Sequence, residues 1–334
     1  MTCRIGMIIA LVLAGLVMAM ATAWGALALY YLAPGSAEVR TAATWSFAVL
    51  GLAALVALFF QRTRRLAGLG FALALVPVLL VWSSAKPSND RDWQPEVAVL
   101  PYATIDGDLV TVHNIRNFDY RTETDVTPAY YDRTFDLRRL DQVDLGASYW
   151  MGPAIAHLFV TFGFGDDHLA ISIEARKDRT RPYATLPGFF RQYELVYVVA
   201  DERDAIRVRT NYRNDPPEQV YLFRLIGSME ERRRIFLDYL RDINELHEHP
   251  RFYNTLTTNC TTMILAHAAV NARHAAYSWK VLLSGYAPEY AYEVGRLDQS
   301  LPFEELKERG HINVAARVAD QAPDFSRRIR ANLP

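Results

Sequence analysis

Cys260 stands in a run of small polar residues, Thr255-Leu256-Thr257-Thr258-Asn259-Cys260-Thr261-Thr262, directly before an apolar stretch through Ala272. Asn and Thr ahead of an apolar run mark a helix start, so a helix is expected after Asn259 with the thiol at its first position. There the free N–H groups and the helix dipole favour thiolate, the reactive form. The Cys260 N–H is also offered to a developing oxyanion. A thiol nucleophile needs a base, and the base needs an orienting group. Of the eight histidines, His157 opens an apolar strand, Ala156-His157-Leu158-Phe159-Val160-Thr161-Phe162. The strand expected to pair with it ends in Ser172-Ile173-Glu174-Ala175-Arg176, where an acid in an apolar strand needs a partner. Cys260, His157 and Glu174 are thus the candidate catalytic residues: nucleophile, base and orienter. His267, seven residues along the cysteine helix, reads as packing or surface. His113 is an outside candidate, and His168, in a turn, reads as solvated. No metal site is expected: there is no His-x₃₋₅-His beside a cysteine and no HExxH. There is no glycine-rich phosphate loop and no G-x-S-x-G, and no cofactor is expected.

The elements that must hold these residues begin at residue 86. Ile105–Val112, with Asp106-Gly107 at its turn, reads as a hairpin. His157–Phe164 and Leu169–Ala175 read as a second, and Leu195–Ala200 with Ala205–Thr210 as a third, turning at Asp201–Asp204. Val220–Leu225 reads as a further strand. Ser228-Met229-Glu230-Glu231 then caps a helix whose apolar positions, Ile235, Phe236, Tyr239, Leu240, Ile243 and Leu246, recur at helical spacing. Strands followed by helices make an α+β domain with an antiparallel sheet packed on helices.

The chain is 334 residues with 36 Lys+Arg and 37 Asp+Glu, a near-neutral balance that hides an uneven distribution. Residues 1–85 hold only Arg4, Glu38, Arg40, Arg62, Arg64 and Arg65, whereas the rest has an ordinary globular share of charge. This excludes a single soluble domain, a disordered chain and a general nucleic-acid binder. Three uncharged stretches, Ile5–Ala37, Thr41–Gln61 and Leu66–Ala85, are each long enough to span a membrane as helix. Residues 1–85 are therefore read as a membrane anchor of three helices and 86–334 as an extracytoplasmic thiol-enzyme domain. Arg62-Thr63-Arg64-Arg65 is a positive-inside signal. It places the N-terminus, with Cys3, in the cytoplasm and everything after the third span outside. No span carries an ionisable side chain, so no ion path is expected.

The order of histidine on a strand, glutamate on the next strand and cysteine at a later helix start resembles the circularly permuted papain-like thiol enzymes. A closer resemblance rests on HNIRNFDYRTETD (113–125), SYWMGPAIAHLFVTFGFGDDHLAISIEARKD (148–178), FFRQYELVYVVADERD (189–204), FYNTLTTNCTT (252–262) and SWKVLLSGYAPEYAYEVGRLD (278–298). These segments look like the Lnb N-terminal-domain family of bacterial envelope proteins, within the permuted papain-like group. The resemblance implies a periplasmic domain held on the inner membrane. It also implies transfer of an acyl chain from a phospholipid, through a Cys260 thioester, to the N-terminal amine of a diacylglyceryl-cysteine lipoprotein. In that reading Asn259 and Tyr120 are candidates for the second oxyanion donor, and Arg116, Arg121 and Arg191 for binding the phosphate. Two rivals remain: a cell-wall peptidase or amidase using the same three residues, and a non-enzymatic envelope scaffold with Cys260 merely buried.

Overall fold

The structure, a computed structural model, describes residues 2–272 and 274–334. The side chains of residues 2–4, Cys3 among them, lie outside the described set. The chain divides into two compact units. The first runs to Pro87 and also takes in Ala184–Gln192; the second comprises Ser88–Tyr183 and Tyr193–Pro334.

The first unit is built on three helices, α1 (Thr2–Leu32), α2 (Ala37–Leu58) and α3 (Arg64–Ser84). All three are long and apolar enough to cross a membrane. Small residues let α1 and α2 approach closely: a Cβ on Gly51 would lie 2.4 Å from the Thr22 side chain. The 184–192 segment joins this unit through Phe190, which stacks on Tyr31 at 5.3 Å and meets Trp82 edge-on.

The second unit is a mixed sheet packed with helices. Its strands are β1 (Tyr102–Asp106), β2 (Leu109–Arg116), β3 (Asp119–Tyr120), β4 (Val126–Thr127), β5 (Tyr130–Asp136), β6 (Gln142–Tyr149), β7 (Ala156–Phe164), β8 (Asp167–Arg176), β9 (Glu194–Asp201) and β10 (Gln219–Arg224). The main sheet runs β1-β2-β9-β8-β7-β6-β10, with β5 on β2, while β3 and β4 form a separate hairpin. The first two expected hairpins are present, β1–β2 turning at Gly107 with φ +58° and β7–β8 turning at Gly165 with φ +71°. The sheet is not purely antiparallel, because β2 meets β9 in parallel at Arg116 and Ala200.

The helices are α4 (Glu202–Ala205), α5 (Met229–Glu248), α6 (Cys260–Ala268), α7 (Trp279–Leu282), α8 (Ala287–Glu293), α9 (Phe303–Gly310), α10 (Asn313–Ala319) and α11 (Phe325–Arg328). The third expected hairpin does not exist. Asp201 caps α4 by accepting from the Arg203 N–H, and Val208–Tyr212 forms a single π-helical turn instead of a strand. Ser228 caps α5 in a full capping box with Glu231, as its spacing implies. The cysteine helix is shorter than expected, ending at Ala268.

Alternation along β7 divides the core. Leu158, Val160, Phe162 and Phe164 pack with Phe236, Tyr239, Leu240 and Ile243 of α5, while Phe159 joins Val220, Leu222, Ile312 and Phe325 on the other face. Both faces of β7 and β8 are covered, which is why these strands read as nearly continuous apolar runs. The loop before β7 is pinned at Gly285, where an added Cβ would lie 2.0 Å from the Pro153 carbonyl oxygen. Gly285→Ala is therefore expected to destabilise the protein by about 2 kcal/mol through backbone overpacking. A thermal midpoint unchanged from wild type would contradict this contact.

Candidate active site

The site lies where β7 and β8 part. Their pairing runs from Phe164↔Asp167 to Phe159↔Ser172 and stops. Beyond that point β7 stays on β6 as far as Ala156, and β8 stays on β9 as far as Arg176. His157 and Glu174 occupy the opening, with His157 Nε2 3.6 Å from Glu174 Oε1. Ser172 bridges them: its hydroxyl donates to Glu174 Oε1 at 2.8 Å and shares a 2.6 Å hydrogen bond with His157 Nε2. Nε2 is thereby engaged, and Nδ1 has no hydrogen bond among the described residues. The two side chains are 19% and 23% exposed, enough to be reached from solvent.

Arg209 completes the pairing. Its guanidinium donates to Glu174 Oε1 at 3.1 Å and to the Ala205 carbonyl at 2.6 Å, and it lies over the Phe159 ring. Glu218 stands 3.9 Å from Arg209 Nε, accepts from Arg213 at 2.8 Å and is bonded by the Ser148 hydroxyl. Burial alone would raise the Glu174 carboxyl. His157 and then Arg209 outweigh it and hold the group well below the usual carboxylate range. Burial, reinforced by Arg209, pushes His157 down to about 4 against the pull of Glu174. At neutral pH the site holds a neutral imidazole and an ionised carboxylate.

Cys260 is the first residue of α6, which packs on β7 and β8. The cap is Asn259, whose Oδ1 accepts from the Thr261 and Thr262 N–H groups at 2.9 and 3.0 Å. The Thr262 hydroxyl accepts from the Asn259 N–H in return. The Cys260 N–H is left without a partner among the described residues. The thiol is half-buried against the α5 face of the sheet, near the N–H of Leu158. That nitrogen is two covalent bonds from the His157 Cα, although no hydrogen bond joins Cys260 to the imidazole. Burial pushes the thiol up, and the Leu158 and Thr261 N–H groups pull only partly against it. The expected thiolate is therefore corrected: at rest the helix start does not overcome desolvation.

Several expected site residues are committed elsewhere. The Tyr120 hydroxyl donates to Asp204 at 3.1 Å inside a buried aromatic cluster, so it is no oxyanion donor. Asn259 Nδ2 is held by the Thr255 carbonyl at 2.7 Å, which leaves this residue as the helix cap. Arg116 is buried in a two-pronged pair with Asp204, at 2.9 and 2.7 Å, and also donates to the Glu96 carbonyl. Arg121 is folded onto Asp125 and Thr127 at the surface. Arg191 belongs to the first unit, where it donates to the Trp82 carbonyl at 2.7 Å and lies over the Trp82 ring. None of the three presents a guanidinium free for phosphate. His113 pairs with Asp132 and stacks on Tyr102, away from the opening. His168 is bonded to Gln142 rather than simply solvated. His267 is packing, bonded to Asp238 and Tyr197 and stacked on Tyr239 at 3.8 Å.

Sequence reasoning missed Ser172, Arg209 and Tyr239. Ser172 lies two residues from Glu174 and so on the same face of β8, a signal that was present. Arg209 was hidden by reading Ala205–Thr210 as a strand. Tyr239 sits at a core position of α5, and its buried hydroxyl has no hydrogen-bond partner among the described residues. Burial, then Asp238 and Cys260, raise its titration. Tyr239 Oη–H and the Cys260 N–H are thus both donors without a partner among the described residues. Among the described residues no cluster of three or more His, Cys, Asp or Glu side chains suits a metal ion.

The depressed His157 fixes the sign of one pH effect. Its folded value lies below its unfolded one, so its neutral form adds stability that is present above about pH 6.5 and lost as pH falls toward 4. Unfolding midpoints are expected to fall between pH 7 and 4, and less steeply in His157→Gln. Arg209→Met should move His157 titration upward by NMR, and a downward move would contradict the assigned cause.

Residues 127–285 match the family model of the Lnb N-terminal periplasmic domain. No curated protein and no solved structure matches the chain. The matched span holds His157, Ser172, Glu174, Arg209, Tyr239 and Cys260, whereas Arg116, Tyr120 and Arg121 fall outside it. With the three candidate spans, the match makes this a membrane protein with a periplasmic domain. The resemblance read from the sequence holds over this span, and residues 127–285 are assigned to the Lnb N-terminal periplasmic domain family.

Proposed function

We propose that this protein is a membrane-anchored thiol acyltransferase. It takes an acyl chain from a phospholipid and passes it to the N-terminal amine of a diacylglyceryl-cysteine lipoprotein. The observation that carries the reading is the His157–Ser172–Glu174–Arg209 chain, with its free imidazole Nδ1, and a thiol at the start of the helix that packs on the same two strands. The order of these residues is that of the circularly permuted papain-like enzymes, and the periplasmic family match supports the same reading. The arginines of residues 62–65 favour a cytoplasmic N-terminus in the inner membrane, with the thiol domain outside.

The thiol begins protonated. As its sulfur bonds to the ester carbonyl carbon, the S–H proton passes to His157 Nδ1, and Glu174 stabilises the imidazolium. The Cys260 N–H and Tyr239 hydroxyl hold the oxyanion. Collapse breaks the carbon–oxygen bond to glycerol, the imidazolium protonates the leaving oxygen, and a lyso-phospholipid departs from the Cys260 thioester. An amine then attacks the thioester and loses its proton to His157, and the expelled sulfur recovers that proton.

Full-length protein in phospholipid nanodiscs is expected to carry a hydroxylamine-labile acyl adduct by intact mass, absent in Cys260→Ser. His157→Ala should slow its formation by about 10²–10⁴-fold. Tyr239→Phe should slow it by about 10²-fold. Peptide cleavage with no acyl adduct would replace this reading by the amidase one. Full biological function in Cys260→Ser would leave only a scaffold.

A further inference from the structure

The second unit contains an apolar cavity that the catalytic chain does not use. Its volume is about 150 Å³, and its walls include Leu145, Leu158, Ile235, Ile264, Val281 and Ala291. A space of this size accepts an apolar guest about the size of benzene. Cys260 is not in the wall, but both its neighbours are. Leu158 supplies the N–H beside the thiol, and Thr261 follows Cys260 on α6.

The cavity also has a direction. Thr261, Ile264, Leu265 and Ala268 line it at spacings of three and four, so one face of α6 forms a continuous wall. From Thr261 to Ala268 this wall runs about 10 Å along the helix. At its end the lining turns polar: Asn271 donates to the Glu231 carbonyl at 3.2 Å, and Glu231 pairs with Arg296. A chain attached to Sγ would thus meet apolar wall first and a polar end later. The segment that contributes Ala275 and Val281 to the lining exposes Tyr277, Trp279 and Leu282 on its outer side, 64%, 58% and 51% accessible. Exposed aromatics of this kind suit a lipid–water interface.

We infer that this cavity seats the donor acyl chain and sets which chain lengths are transferred. The inference rests on the acyl-transfer reading and adds the place of the chain. The cavity holds about six carbons as it stands. Longer chains must reach past Ala268 or displace the lining, so the far end acts as a ruler.

The test uses full-length protein in nanodiscs of phosphatidylethanolamine with either eight- or sixteen-carbon chains. Acceptor lipopeptide is left out, so any chain found on Cys260 is the donor's. Ala268→Phe fills the far end, and Ala291→Phe fills it from α8. Each is expected to cut the initial rate of sixteen-carbon adduct formation at least tenfold and the eight-carbon rate severalfold less, with the thermal midpoint kept. If wild type acquires adducts and both folded variants keep its chain-length ratio, the chain lies elsewhere and the inference is overturned. If wild type acquires no adduct from either lipid, the acyl-transfer reading itself fails.

Discussion

An ionised carboxylate inside a sheet must be paired, and Glu174 is the charge around which the second unit is arranged. Removing one partner from a buried ion pair costs about 3–5 kcal/mol, because the other charge is left desolvated. Glu174 is paired from three sides, by His157, by Ser172 and by Arg209. Each partner demands something of the backbone. β7 and β8 part after Phe159 and Ser172, just short of the register that would set His157 directly opposite Glu174. Reaching Arg209 requires the π-helical turn at Val208–Tyr212, which carries the guanidinium from α4 to the sheet. The cost of that irregular turn is offset by the charge it satisfies. Glu218 and Arg213 extend the balance outward, so that the arginine is not itself left in excess.

The same arrangement sets the protonation of Cys260. The opening between the strands admits the first turn of α6, and there the thiol meets apolar side chains of α5 and the sheet. Desolvation wins over the helix dipole, which contributes only a few tenths to about 1 kcal/mol at a helix end. The sulfur therefore rests as thiol. In an oxidising compartment this matters, because thiolate is the species that oxidants attack. A cysteine kept protonated is protected from them. Under the acyl-transfer reading, proton transfer then accompanies attack instead of preceding it, which gives His157 a role in the step itself.

Much of this was legible in the residues. Cys260, His157 and Glu174 were marked by being the wrong kinds of side chain for their places: a thiol in a capping sequence, and a base and an acid in apolar strands. The three spans, the hairpins at Gly107 and Gly165 and the capped start of α5 follow from charge, turn and periodicity. The environment of the site was less legible. Ala205–Thr210 alternates like a strand, yet Arg207 and Arg209 in it are both buried and each seeks an acid distant in sequence. Tyr120, Arg116 and Arg121 looked available because their partners, Asp204 and Asp125, are chosen by tertiary contact or loop closure, which spacing does not report. Tyr239 was hidden for the opposite reason. Its helical spacing places it in the core, and nothing local says that its hydroxyl goes unpaired.

Under the acyl-transfer reading, what separates a transferase from a hydrolase is the fate of the thioester. His157 and Glu174 are each about one-fifth exposed, so water can approach the base that would activate it. Exclusion of water therefore has to come from the substrate side. A donor chain lying along α6 covers the apolar wall next to the thioester and removes one route for water. A tethered amine gains further, since a reactant held at a membrane competes at an effective concentration in the millimolar range or above. The near-absence of charge in residues 1–85 acquires a chemical sense in this light. It keeps the enzyme where both the donor ester and a lipid-anchored amine are concentrated, so that transfer outruns hydrolysis without a fully closed site.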